Sequence, residues 1–160
     1  MKDLDPDLRA ALAARFPEII PAEGDLEPSG PLVPAEQHVA FARFLKEECG
    51  FTLYVSTIGS HWPAQAEGEP EHYEVATVLR RPPKPSTTLS WRVRIPTDGA
   101  VPTLFPLFAG ADWQEREQYD LVGVVYEGHP DLRRLMMPED FGAHPLRKDF
   151  AIDTPHHPWR

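Results

Sequence analysis

The sequence predicts an α+β domain: a mostly antiparallel or mixed sheet with helices packed on one side, followed by an extended C-terminal arm. Three observations carry this prediction. Apolar residues recur at helical spacing in 5–16 and 35–49, and they alternate along 73–79 and 89–95. Nineteen prolines and 10 glycines among 160 residues punctuate the stretches between. Residues 128–160 show neither period, so they read as an arm without a core of its own.

The elements follow in order. Asp5-Pro6 gives an N-cap and a first-turn proline, and Leu8, Ala11, Leu12 and Phe16 continue at helical spacing to Pro17. Residues 17–34 hold five prolines and two glycines, a linker expected to end in a brief strand at Leu32-Val33. Ala35 to Cys49 sets Val39, Ala42, Leu45 and Cys49 on one helical stripe, broadened by Phe41 and Phe44 and stopped by Gly50. A strand is expected over 51–58 and a loop over 59–71. Tyr73, Val75, Thr77 and Leu79 share one face of the next strand; Leu89, Trp91, Val93 and Ile95 share one face of its neighbour. The link RRPPKPS between them reads as a stiff polyproline-like loop. A helical segment is expected to start at Thr103 and break at Gly110, a second to run from a cap on Asp112 to Asp120, and a strand to follow over 121–127. The organisation is therefore an N-terminal helix and linker (1–34), a core domain (35–127) and an interface arm (128–160).

Composition excludes several functions. Lys and Arg number 16 against 25 Asp and Glu, a formal net charge of -9, and mean hydropathy is -0.41. Nucleic-acid binding would ordinarily require a basic surplus or stripe to neutralise phosphates, so no nucleic-acid partner is expected. One cysteine, Cys49, leaves no basis for a disulfide framework, a CxxC pair or a self-contained iron–sulfur cluster. The acidic start predicts no signal peptide, and Leu121 to Tyr126 is too short to cross a bilayer. A cytoplasmic protein that meets a membrane only through a partner is the expectation. No GxSxG, GxGxxG or P-loop pattern occurs.

Two segments concentrate chemistry. One runs EREQYDLVGVVYEGHPDLRRL from Glu115 to Leu135; the other, HPLRKDF from His144 to Phe150, echoes its His-Pro then Leu-Arg pattern fifteen residues on. Glu115, Tyr119 and Val122 share one side of the expected helix, with Arg116 and Asp120 paired at i, i+4 beside them. Asp131 is placed to cap a short helix holding Leu132, Leu135 and Met136. Residues 129–149 hold four acids, four Lys or Arg and two His, a balanced, proline-fixed set suited to a persistent protein interface. His129 and His144 with Asp131, Asp140 and Asp149 also offer nitrogen and oxygen ligands, which keeps a small stand-alone His/Asp metalloenzyme as the rival reading.

The run from Asp112-Trp113 through EREQYDLVGVVYEGHPDLRRLMMPEDFGAHPLRKDF to Phe150 resembles the signature of the 30-kilodalton subunit family of respiratory NADH:quinone oxidoreductase, complex I. Weaker likeness reaches back through WRVRIP at Trp91 and VPT at Val101. Ala143 stands where the family usually has glycine, which would strain a turn that needs a positive φ. The resemblance implies a non-catalytic structural subunit of the peripheral arm of a proton-pumping enzyme, on the cytoplasmic side of the inner membrane. It implies no catalytic, metal or cofactor site in this chain, with FMN and iron–sulfur clusters in partner subunits, and subunits D and B as neighbours during electron transfer from NADH to quinone. Equivalent subunits of membrane-bound hydrogenases and of F420 dehydrogenase are the related alternative. The interface residues expected are Glu115, Arg116, Glu117, Asp120, His129, Asp131, Arg133, Arg134, His144, Arg147, Lys148 and Asp149.

Overall fold

The structure is a computed structural model, and it describes residues 5–20, 29–65, 68–83 and 87–151. Helix α1 spans Pro6–Arg15, with the Asp5 side chain accepting from the Asp7 N–H at 3.0 Å. Helix α2 spans His38–Glu47, entered through a 3-10 turn at Ala35–Gln37. Strands β1 (Leu53–Trp62), β2 (His72–Arg81) and β3 (Thr87–Pro96) form an antiparallel meander. Strand β4 (Ala100–Pro102), helix α3 (Ala111–Val122) and strand β5 (Val125–Glu127) follow, and β4 pairs with β5 in parallel. The α+β class is the one that alternation and helical spacing predict.

Alternation sets the core. Tyr73, Val75, Thr77 and Leu79 of β2 and Leu89, Trp91, Val93 and Ile95 of β3 all point inward and are buried. Helix α2 covers them with His38, Phe41, Ala42 and Leu45, so the buried stripe is rotated from the expected Val39, Ala42, Leu45 and Cys49; Val39 and Cys49 lie at its margin. Edge-to-face rings tie the layers: Phe16 on Phe41 at 5.1 Å, and Phe41 on Trp91 at 5.5 Å.

Both outer strands of the meander are partly covered at their edges. At β1, Gln114 Oε1 accepts from the Thr57 N–H at 2.7 Å and Gln118 Oε1 from the Gly59 N–H at 2.9 Å, so α3 stands in for a missing strand. At β3, Arg92 donates its N–H to Pro31 O at 2.9 Å and Val33 donates to Arg92 O at 2.7 Å; this is the brief strand expected at Leu32-Val33, reduced to one bridge. Gly30 permits that approach. A Cβ there would lie 2.0 Å from Ser90 O, and its φ is 91°.

Several boundaries differ from expectation. β1 begins and ends later than 51–58, because Gly59 and Ser60, which look like loop residues, are held in the strand by Val75 and Glu74 of β2. Residues 103–108 make turns rather than a helix, α3 starts at Ala111 after Gly110 with Asp112 inside its first turn, and β4 is an additional strand. Leu121 and Val122 belong to α3, not to the following strand. Among the described residues no helix follows Asp131; residues 128–151 pass through turns and bends. Among the described residues, no helix is long and apolar enough to cross a membrane.

One polar pair sits inside the core. Trp91 Nε1–H donates to His38 Nδ1 at 3.0 Å, and burial pushes the His38 ring down to about 4. A depressed histidine stabilises the fold fully above its unfolded value, near 6.5, and that contribution is lost as pH falls towards 4. Denaturant titrations of the full chain are expected to show an acid limb on the order of 3 kcal/mol over this window, flattened in His38→Gln.

Candidate subunit interface

The site grows from the C-terminus of α3. Gly123 caps the helix at φ 94°, its N–H reaching Gln118 O and Tyr119 O. The conformation favours glycine, and a Cβ at this position would also lie 3.0 Å from both the His144 ring and the Tyr73 hydroxyl, a tight fit.

Asp120, fully buried, is the centre. Its Oδ2 accepts the N–H groups of Leu135, Met136 and Met137 at 3.0, 2.6 and 2.8 Å, and Arg134 Nη1 donates to Oδ1 at 2.8 Å. Three consecutive N–H groups converging on one oxygen make an anion nest. Burial opposes ionisation, but the nest and Arg134 outweigh it and hold the carboxyl below its usual range. The Asp120 carbonyl accepts from Arg134 Nη1 and from His144 Nδ1–H at 2.9 Å, and Arg134 Nη2 donates to Ala143 O.

The expected Arg116–Asp120 pair is therefore replaced. Arg116 turns the other way, donating to Arg133 O at 3.3 Å and Arg134 O at 3.5 Å, lying 3.7 Å from Asp131 and stacking over Trp113 at 5.4 Å. Asp131 caps no helix; its Oδ2 accepts from Arg133 Nε at 3.0 Å. Its N–H donates to His129 Nδ1 at 3.1 Å, and His129 Nε2 faces Asp112 Oδ1 at 3.4 Å. Ala143 carries no strain, because among the described residues only glycines have positive φ.

Glu115 is buried beneath the 103–105 turn, where its carboxylate accepts from the Thr103 hydroxyl and from the Leu104 N–H at 2.8 Å. Burial pushes its carboxyl up to about 7 despite those donors. Further along the arm, Arg147 forks onto Asp149 at 2.9 and 2.8 Å, reaches Glu71 Oε1 at 3.2 Å, donates to the Tyr73 hydroxyl and lies over the Tyr73 ring at 5.5 Å. The Lys148 N–H donates to His61 Nδ1 at 3.1 Å.

Of the twelve residues expected at an interface, Glu115 is committed beneath the 103–105 turn, while Arg116, Asp120, His129, Arg134, His144 and Arg147 are committed inside the chain and hold 128–151 against α3 and β2. Arg133, Lys148, Asp131 and Asp149 are exposed, and Glu117 is half-buried on α3. His61, Glu71, Tyr73, Trp113, Gln114 and Gln118 complete the junction, and sequence reasoning does not single them out. Only the i, i+4 spacing of the two glutamines carries a signal. No cluster of three ligating side chains forms about His129 or His144 among the described residues. His61, Glu71 and Asp149 do approach one another, but both His61 nitrogens are engaged and Arg147 already supplies the positive charge there.

Residues 32–156 match the family described as respiratory-chain NADH dehydrogenase, 30 Kd subunit. The chain belongs to that family. A relative in Rhizobium rhizogenes, named as the C subunit of NADH-quinone oxidoreductase, is 39% identical over 120 residues, covering 72% of this chain and 56% of the relative. Its namesake in Burkholderia thailandensis is 33% identical over 160 residues, covering 95% of this chain and 77% of the relative. The chain thus spans little more than half the length of the Rhizobium relative. Among solved structures, a trypsin-resistant fragment of Nqo5 superposes with TM-score 0.64 at 28% identity, covering 80% of this chain and all of the fragment. A chain of the membrane-bound sulfane sulfur reductase, an archaeal respiratory membrane complex, gives 0.73 at 25% identity, covering 91% of this chain and 85% of that one.

Two outcomes test the junction. Asp120→Asn weakens the nest and leaves Arg134 half-buried without a charge partner, so it is expected to cost about 3 kcal/mol in urea unfolding. Glu115, raised above its unfolded value, stabilises the fold fully below about 4.5, and this contribution fades as pH rises through about 7. Glu115→Gln is expected to remove that alkaline-side loss from a pH series of melting temperatures.

Proposed function

We propose that this chain is a non-catalytic structural subunit in the peripheral arm of a proton-pumping NADH:quinone oxidoreductase, on the cytoplasmic side of the inner membrane. The family match over residues 32–156 is the observation that carries this reading. In it the chain supports the subunits that form the quinone site and the terminal cluster, D and B, and it holds no cofactor itself. FMN and iron–sulfur clusters belong to the partners. The cysteine count agrees: Cys49 is alone, half-buried at the end of α2, and burial pushes its thiol up, away from the reactive thiolate.

The surface supports a partnered existence. Large apolar side chains stand exposed on the open face of the sheet (Ile58, Trp62) and beside the arm (Trp113, Met136, Leu146), with Trp113 at 62%. Arg133, Lys148, Asp131 and Asp149 are the arm charges placed to meet partner groups. The likeness to the sulfane sulfur reductase chain favours, as a second reading, the equivalent subunit of a related membrane-bound respiratory complex.

Affinity purification of the tagged full chain from its own membranes is expected to recover a large assembly containing subunits D and B in fixed proportion. A related complex in their place would favour the second reading, and a chain migrating alone would overturn both. The double reversal Arg133→Glu, Lys148→Glu is expected to lower this recovery while leaving the melting temperature of the chain within about 1–2 °C, since exposed charges contribute little to stability.

A further inference from the structure

The arm is held at its far end by a histidine that no part of the subunit reading requires. His61 lies on β1 with its side chain fully enclosed. Its Nε2 sits 2.7 Å from Glu71 Oε1 and its Nδ1 receives the Lys148 N–H at 3.1 Å. These bonds fix the neutral ring in one tautomer: Nε2–H donates to Glu71 and bare Nδ1 accepts from the arm backbone. Asp149 Oδ1 waits 3.8 Å from that same Nδ1, at present bound to Arg147.

We propose that His61 is a protonation-controlled latch on the arm. A neutral ring grips the Lys148 N–H. A protonated ring cannot accept, turns Nδ1–H towards Asp149 and releases the backbone at 148.

The local charges favour such an exchange. The groups facing His61 are Glu71 from the β1–β2 loop, Tyr73 from β2, whose ring lies 5.6 Å away, and Arg147, Lys148 and Asp149 from the arm; His144 and the Tyr73 hydroxyl close over Gly123 nearby. Glu71, Asp149 and Arg147 sum to one negative charge around the ring. What opposes the exchange is the enclosure of the ring, the backbone hydrogen bond that must break and the hold of Arg147 on Asp149. Two states that exclude each other at a single nitrogen are the geometry of a switch. The proposal goes beyond membership of a respiratory complex and rests on this chain's geometry alone.

The test is nuclear magnetic resonance of the isotope-labelled full chain between pH 5 and 8.5. The His61 ring is expected to carry its proton on Nε2 at high pH. As it gains a second proton, the Lys148 amide shift is expected to move with the same midpoint. Exchange of that amide, corrected for its intrinsic pH dependence, is expected to accelerate roughly fivefold to tenfold, the worth of one hydrogen bond. In His61→Asn the side-chain carbonyl accepts the same N–H at every pH, so the inflection disappears while protection remains.

A Lys148 amide that ignores the His61 titration overturns the proposal, as does the same inflection in His61→Asn, or a ring that gains no second proton above pH 5. Should His61→Asn fail to fold, the unsubstituted chain still decides: coincident His61 and Lys148 midpoints support the latch, and a Lys148 midpoint that follows His144 instead overturns it.

Discussion

Asp120 keeps a full negative charge on a side chain with no exposed surface, and the path of the chain beyond β5 follows from how that charge is satisfied. Left unpaired, a buried carboxylate would cost several kcal/mol. Here the compensation comes from the N–H groups of residues 135–137 and from Arg134. Residues 128–151 have neither helix nor strand to satisfy their backbone. Asp120 does it for residues 135–137 and turns within the arm do it for several others, which is why an arm without a core of its own can still take a defined course.

Helix α3 performs a second task with its other polar residues. Gln114 and Gln118 occupy the outward N–H groups of β1, and the same helix seats Glu115 under the 103–105 turn. Twelve residues thereby close a sheet edge, anchor a turn and fix the arm. Residues 31–33 cover β3 at Arg92, so both outer strands of the meander are partly occupied. What remains outward is a face rather than an edge, carrying Ile58, Trp62 and the linked charges Glu74, Arg92 and Arg94. Contacts with another protein through such a face are made by side chains, which give specificity, rather than by backbone pairing, which does not.

The fold class, α1, α2 and the two inner strands are legible in the sequence because each rests on local information: a cap, a stripe, an alternation. The boundaries that differ do so through non-local contacts. Gly59 and Ser60 read as loop until β2 and Gln118 are placed against them, and β4 is three residues whose pairing partner lies about twenty-five positions on. The chemistry of 115–149 is visible as an unusual density of charge, but its direction is not. Spacing along a helix pairs Arg116 with Asp120. Only the return of the chain brings the nest to Asp120 and leaves Arg116 to the carbonyls of 133 and 134. His61, Glu71 and the polar role of Tyr73 are not visible beforehand, because these are ordinary residues on strands and a loop until the arm reaches them.

This division of labour narrows what the surface can offer a partner. In the proposed role, charges sunk into the junction set the course of the arm, and a partner would meet what the arm and α3 display: Arg133, Lys148, Asp131, Asp149, Met136 and Leu146 of the arm and Trp113 of α3. Because the backbone is already ordered by internal bonds, association need not supply the entropy of ordering it, and modest outward contacts can suffice for a lasting interface. In the proposed role, a chain that conducts no electrons would act on its assembly through shape alone, by presenting a rigid surface where a free tail would present a fluctuating one.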